Sequence, residues 1–263
     1  MEKKEVPEEK GLTRRSLLSG AGKIAVVGAG IAAVSGGLNL FSKAEAAGPQ
    51  ALPWPYKKLD IEEVGAITYE KWYEGYCCNA VASGIILPLR EKIGEPYTSF
   101  PVESLVWGHG GVVGWGTICG TMLGTGVTTG LICGPGVTKT GEQITNEVIQ
   151  WYTKTELPIY KPKNPKAEVN VKSKSGSPLC HISVGKWMKK ADRGFWTAER
   201  MDRCARLSAD VAMRTAKFLN DWTDGKFKSD LKLPAVAYAH PAQHNCTDCH
   251  GSKVPPINKK GNK

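Results

Sequence analysis

The 263-residue sequence predicts a mainly α fold that runs out into an irregular C-terminal tail, and three observations carry this expectation. Apolar side chains recur at helical spacing in separate segments of the chain. A long, uncharged, glycine-dense stretch between them suits close helix packing. Beyond residue 225 the periodicity stops, and prolines at 234, 241, 255 and 256 interrupt the chain.

The first helix is read over residues 60–76, where Ile61, Val64, Ile67, Tyr69 and Trp72 follow Asp60, a good helix-opening residue. Cys77 and Cys78 lead into a second helical stretch, 80–93, that Pro88 is expected to kink, giving a hairpin or one bent helix. Residues 104–138 contain no Lys, Arg, Asp or Glu and hold nine glycines between 108 and 130. No Gly-Lys-Ser/Thr and no G-x-G-x-x-G occurs there, so neither a phosphate loop nor a dinucleotide site fits. The many threonines and glycines argue against a membrane span and for tight packing around a buried site. Residues 142–156 are helical by spacing, and 160–177 form a polar loop. The clearest helix spans 197 to about 222, with Met201, Cys204, Leu207, Val211, Thr215, Phe218 and Leu219 on one face and Gly225 as its stop.

Within the tail, Cys246-Thr-Asp-Cys249-His250 spells C-x-x-C-H, the sequence that attaches a c-type haem. Cys246 and Cys249 would form thioethers with the haem vinyl groups, and His250 would be the proximal axial ligand. A C-x-x-C pair also serves as a redox dithiol or as half of a zinc site, so the context has to decide.

That context is an export signal. Residues 1–46 carry Leu12-Thr13-Arg14-Arg15-Ser16-Leu17-Leu18, then an apolar run from Ile24 to Leu40, then Ala44-Glu45-Ala46, a small-x-small cleavage pattern. The paired arginines mark a twin-arginine signal and a periplasmic destination. The apolar run is 17 residues and broken by four glycines, short for a span of about 20. The mature protein is therefore expected to keep no membrane span. This route exports folded proteins, and a c-type haem, attached after export, gives no reason to use it. An iron-sulfur cluster, loaded where its thiolates are reduced, does.

Residues 1–46 hold seven basic and five acidic side chains, which leaves the mature 217 residues at a formal charge of +8. That excess can steer an acidic redox partner. Its lysine pairs form no basic stripe interleaved with aromatics, so nucleic acid is not an expected partner. Apart from the haem motif, six cysteines remain: Cys77, Cys78, Cys119, Cys133, Cys180 and Cys204. Three disulfides are the bland reading for an exported chain, and cluster ligation is the competing one. For the second axial position the sequence offers His240 and His244 in the tail, best placed to reach across a dimer, and His181 beside Cys180. His109 is read as structural. A tail of fewer than 40 residues cannot enclose a haem alone, so coverage by the main domain or by a second copy is expected.

The segments Gly75-Tyr76-Cys77-Cys78-Asn79-Ala80-Val81, Gly116-Thr117-Ile118-Cys119-Gly120, Ser177-Pro178-Leu179-Cys180 and Arg203-Cys204 resemble the redox-active family named for its C-GCAxxG-C-C cysteine pattern. With the haem motif and the twin-arginine signal added, nearly all of the mature chain is similar to the split-Soret cytochromes c of anaerobic bacteria. The resemblance implies a helical homodimer with haems stacked at one end, bis-histidine ligation with a ligand crossing between chains, and an iron-sulfur cluster, two-iron by preference, in each helical domain. Carried over by position, it makes Cys78, Cys119, Cys180 and Cys204 the cluster ligands. Cys77 and Cys133 receive no role from it, and Gly120-Thr121 departs from the pattern.

The expected organisation is thus a signal peptide at 1–46, a helical iron-sulfur domain at 47–225 and a haem-binding segment at 226–263. The expected function is electron transfer rather than catalysis, with unidentified redox partners. A haem-dependent reductase of nitrogen oxides and a disulfide-stapled cytochrome without a cluster are the alternatives.

Overall fold

Asp60 opens the longest helix, α1 (Ile61–Ile93), by accepting a hydrogen bond from the Glu63 N–H at 2.9 Å. Glu62 and Glu63 in the first turn and Arg90 and Lys92 in the last complement the helix dipole. Asp60→Ala is expected to lower stability by about 1 kcal/mol, measurable as a modest drop in thermal unfolding midpoint.

The computed structural model describes residues 51–136, 139–229 and 246–251. All of these belong to one unit, Pro49–Lys263. The signal segment, His240 and His244 lie outside the described residues. After α1 come a 3-10 turn (Val102–Gly108), α2 (Gly120–Cys133), α3 (Thr140–Lys154), α4 (Cys180–Ala191), α5 (Ala198–Thr223) and the single turn α6 (Thr247–His250). The described residues contain only isolated bridges and no named strand, in keeping with the mainly α expectation.

Helix α1 bends where the sequence does not announce it. The break is at Tyr76 (φ 58°, ψ −163°), while Pro88, the expected kink, stays inside the second half. Tertiary contacts hold the break. The Tyr76 ring lies 5.4 Å from the rings of Trp72 and His109, and the Asn79 amide donates to the Val102 carbonyl at 2.7 Å.

Helix α1 packs against α5, α2 and the 3-10 turn, and α2 also packs against α3 and α5. Val81, Ile85 and Leu89 meet Met122, Val148 and Val211 in the main core, where each fully buried aliphatic contributes about 1.5–3 kcal/mol. The uncharged glycine-threonine stretch becomes α2, whose buried hydroxyls are satisfied locally. Thr125 donates to the Thr121 carbonyl at 3.0 Å and lies 3.1 Å from the Thr215 hydroxyl, and Thr128 donates to the Gly124 carbonyl at 3.0 Å. Among the described residues no helix is long and apolar enough to cross a membrane.

The polar loop after α3 is tied down by buried carboxylates of α5. Asp210 accepts from the Ile159 and Tyr160 N–H groups at 2.8 Å each. Asp202 pairs with Arg206 at 2.6 Å and accepts from the Tyr73 hydroxyl at 2.7 Å and from that of Tyr69. Helix α4 has no counterpart in the sequence reading. It begins at Leu179 without a side-chain cap and buries only Ser183, Val184 and Trp187, too weak a pattern to register.

Candidate functional site

Four cysteines from four different segments converge beside a second, smaller apolar core that includes Tyr69, Trp72, Ala80 and Val184. Cys77 begins the second half of α1, Cys119 is the N-cap of α2, Cys180 is the first residue of α4, and Cys204 lies in the second turn of α5. Three of the four therefore sit at helix starts, at the positive end of a helix dipole. The starts of α2 and α4 are stitched together. Cys119 N–H donates to the Pro178 carbonyl at 2.8 Å, and Cys180 N–H donates to the Thr117 carbonyl at 2.7 Å, on either side of the Ile118–Leu179 bridge.

Each thiol but Cys180 receives a side-chain donor. The Trp72 indole N–H donates to Cys77 Sγ at 3.3 Å, the Thr121 hydroxyl to Cys119 Sγ at 3.2 Å, and the Arg203 guanidinium to Cys204 Sγ at 3.7 Å. Burial, then the neighbouring Cys119 and Cys204, pushes the Cys77 thiol far up. Cys180 is raised by burial and then by Cys119, Cys77 and Cys204, with Arg203 pulling the other way. Cys78 is raised to about 12 by burial and by Cys119 alone. Cys77 thus neighbours Cys119, Cys180 and Cys204, whereas Cys78 neighbours Cys119. Successive helix residues point about 100° apart, and Cys78 is turned toward Gly108: a Cβ at Gly108 would lie 2.9 Å from Cys78 Sγ.

None of these cysteines is in a disulfide. Among the described residues, no three Cys, His, Asp or Glu side chains converge closely enough for one metal ion. Cys133, also raised to about 12 by burial, lies near Tyr56 and Tyr97, apart from the group.

The haem motif forms one helical turn, with the Cys249 and His250 N–H groups donating to the Cys246 carbonyl at 3.2 and 3.0 Å. Both cysteines and His250 are exposed. The His250 ring faces that of His181, with centroids 6.1 Å apart and planes within 6° of parallel. Imidazole is a common ligand of haem iron, and each of these two rings offers a nitrogen to one. His181 is held by its own N–H, which donates to the Gly116 carbonyl at 3.0 Å, and by the approach of Gly116 itself, where a Cβ would lie 3.2 Å from that of His181.

Between the thiols and His181 opens a cavity of about 640 Å³. Cys77, Cys180 and Cys204 line it, as do His109, Met188 and the aromatic side chains of Trp72, Trp115 and Trp196. Trp115 and Trp196 are 82% and 85% exposed, an unusual state for the largest apolar side chain.

This arrangement has relatives. A family model described as "Putative redox-active protein (C_GCAxxG_C_C)" matches residues 75–218. The split-Soret cytochrome c of Desulfovibrio desulfuricans is 36% identical over 255 residues, covering 91% of this chain and 88% of that one. The chain belongs to the split-Soret cytochrome c family. A solved structure, described as a novel iron centre in the split-Soret cytochrome c from Desulfovibrio desulfuricans ATCC 27774, matches with a TM-score of 0.65 at 34% identity. It covers 76% of this chain and 82% of that one.

For a split-Soret cytochrome the residues that sequence reasoning passes over are those serving the sulfurs. Trp72 and Thr121 look like ordinary core residues, and Arg203 like an ordinary helix-surface cation. Only the helical spacing of Arg203 beside the inward-facing Cys204 hints at its burial.

Proposed function

We propose that this chain is an exported electron carrier of the split-Soret type. In this reading Cys246, Cys249 and His250 hold a c-type haem, His181 supplies its second axial ligand, and Cys77, Cys119, Cys180 and Cys204 hold an iron-sulfur centre, two-iron by preference. Cys77 takes the position that the family resemblance assigns to Cys78. The single observation that carries the proposal is the dipeptide Cys180-His181, whose first side chain joins the thiol group and whose second stands parallel to His250 at 6.1 Å. One peptide unit thereby separates the two sites.

Bound haem and cluster would each supply one-electron exchange. The chain's own residues set the conditions for it. Trp72 and Thr121 direct hydrogen bonds at sulfur, which raises the potential of a cluster held there. Trp72, Val184 and Met188 give the space between the sites an apolar lining. The exposed Trp115 and Trp196 beside His181 suit burial by a second copy, so the working form is proposed to be a periplasmic homodimer. Lysine excess over the mature chain favours an acidic redox partner.

The test is iron and acid-labile sulfide per chain on anaerobically purified protein, with the visible spectrum of wild type and of His181→Ala. Iron well above one per chain with labile sulfide is expected, together with a low-spin haem that turns high-spin in His181→Ala. One iron per chain without sulfide would refute the cluster. A haem that stays low-spin in His181→Ala would pass the second axial position to His240 or His244.

A further inference from the structure

Arg203 is 1% exposed and donates to the sulfur of its chain neighbour Cys204. Buried cations are normally paired with a carboxylate, and the same helix provides the contrast: Arg206 pairs with Asp202 at 2.6 Å. Among the described residues Arg203 makes no such ion pair. One terminal nitrogen donates to Ser183 Oγ at 2.8 Å and to the Ser183 carbonyl at 3.4 Å, and the other donates to Cys204 Sγ. Its Nε has no partner. Cys204, Tyr152 and Cys119 act on it electrostatically, and it acts in turn on Cys180 and on the buried Asp210 carboxylate of the same helix. Of its two side-chain hydrogen-bond partners, the Ser183 hydroxyl is neutral, so negative charge gathered on the Cys204 sulfur by a bound centre would lie in direct contact with the guanidinium.

We propose that Arg203 is the buried counter-charge of the centre held by these cysteines, and that it sets the reduction potential of that centre. This rests on the cluster reading given above. A centre held by these cysteines would become one unit more negative on accepting one electron from a redox partner. A fixed cation touching Cys204 stabilises the reduced form more than the oxidised form and so raises the potential. Arg203 is a positioning and charge-setting residue, distinct from the ligands. Guanidinium suits the place because it stays charged when buried and its planar fork reaches Ser183 and Cys204 at once.

The deciding experiment is a redox titration of the cluster, followed by electron paramagnetic resonance, in wild type, Arg203→Gln, Arg203→Lys and Ser183→Ala, with iron, labile sulfide and haem measured per chain. The cluster midpoint is expected to shift to more negative potential in Arg203→Gln and to stay near wild type in Arg203→Lys and in Ser183→Ala, with the haem spectrum unaltered throughout. A wild-type midpoint in Arg203→Gln, or an equal negative shift in Ser183→Ala, would overturn the proposal, the second by showing that packing at Ser183 matters and charge does not. If Arg203→Gln does not accumulate, Arg203→Lys decides, because a clear negative shift with the charge retained contradicts the proposal. Absence of labile sulfide from wild type would instead strike at the cluster reading itself.

Discussion

Cys77→Ser is expected to abolish the proposed iron-sulfur centre, while Cys78→Ser retains it at wild-type occupancy. The two positions are adjacent, both are buried, and both look equally suited to ligation in the sequence. What separates them is direction. Cys77 opens the second half of α1 and faces the group formed by Cys119, Cys180 and Cys204, with the Trp72 indole donating to its sulfur. Cys78 lies against Gly108 and has Cys119 of that group as its electrostatic neighbour. A hydroxyl in place of a thiolate ligand gives a poor donor to iron, so Cys77→Ser loses the centre outright. At Cys78 the same change only exchanges a buried sulfur for a smaller, more polar group, costing about 1–3 kcal/mol. Iron and labile sulfide per chain, with haem content as the internal control, read the outcome. Full cluster in Cys77→Ser with none in Cys78→Ser would return the ligand set to Cys78, Cys119, Cys180 and Cys204.

This pair also marks where the sequence stops being readable. Caps and periodicity are local, so Asp60 and Thr197 name the starts of α1 and α5 correctly, and each side chain accepts the hydrogen bond that a cap requires. The C-x-x-C-H motif is local too. Direction at Cys77 and Cys78 is not, because it depends on the break at Tyr76, and that break is held by residues distant in the sequence: His109 against the Tyr76 ring and Val102 accepting from Asn79. Periodicity places both cysteines on a helix but supplies no phase across an unannounced bend. Pro88 was the visible breaker, yet it lies within the second helical half. Helix α4 escapes for a different reason. It has three buried side chains in 12 residues and owes its position to the hydrogen bonds of Cys119, Cys180 and His181 with the preceding loop. Arg203 is legible as a cation and not as a buried one, since nothing in its neighbours shows that its charge partner is a set of thiols.

Gly120→Ala is expected to destabilise the fold by about 3 kcal/mol or more and to lose the cluster along with it. Two opposing effects decide the sign. Alanine is the better helix former, by at most about 1 kcal/mol, and Gly120 is the first residue of α2. Against that gain, a Cβ built at this position would lie 2.0 Å from the Gly108 carbonyl oxygen, 2.9 Å from Cys77 Cβ and 3.1 Å from the Cys78 N–H nitrogen. Two of those three atoms belong to backbone, which cannot rotate out of the way as a side-chain tip can. The start of α2 would have to back away from α1 and the 3-10 turn, opening the packed core by more than the width of the added methyl can refill. The same displacement carries Cys119, the N-cap directly before Gly120, away from Cys77. Stability and cluster content should therefore fall together, whereas Asp60→Ala, at the far end of the first half of α1, should lower the unfolding midpoint and leave iron and sulfide untouched. Chemical denaturation alongside labile-sulfide content checks both halves. A stable Gly120→Ala protein with full cluster would show that α1 and α2 are not in the close contact on which the proposed ligand set depends.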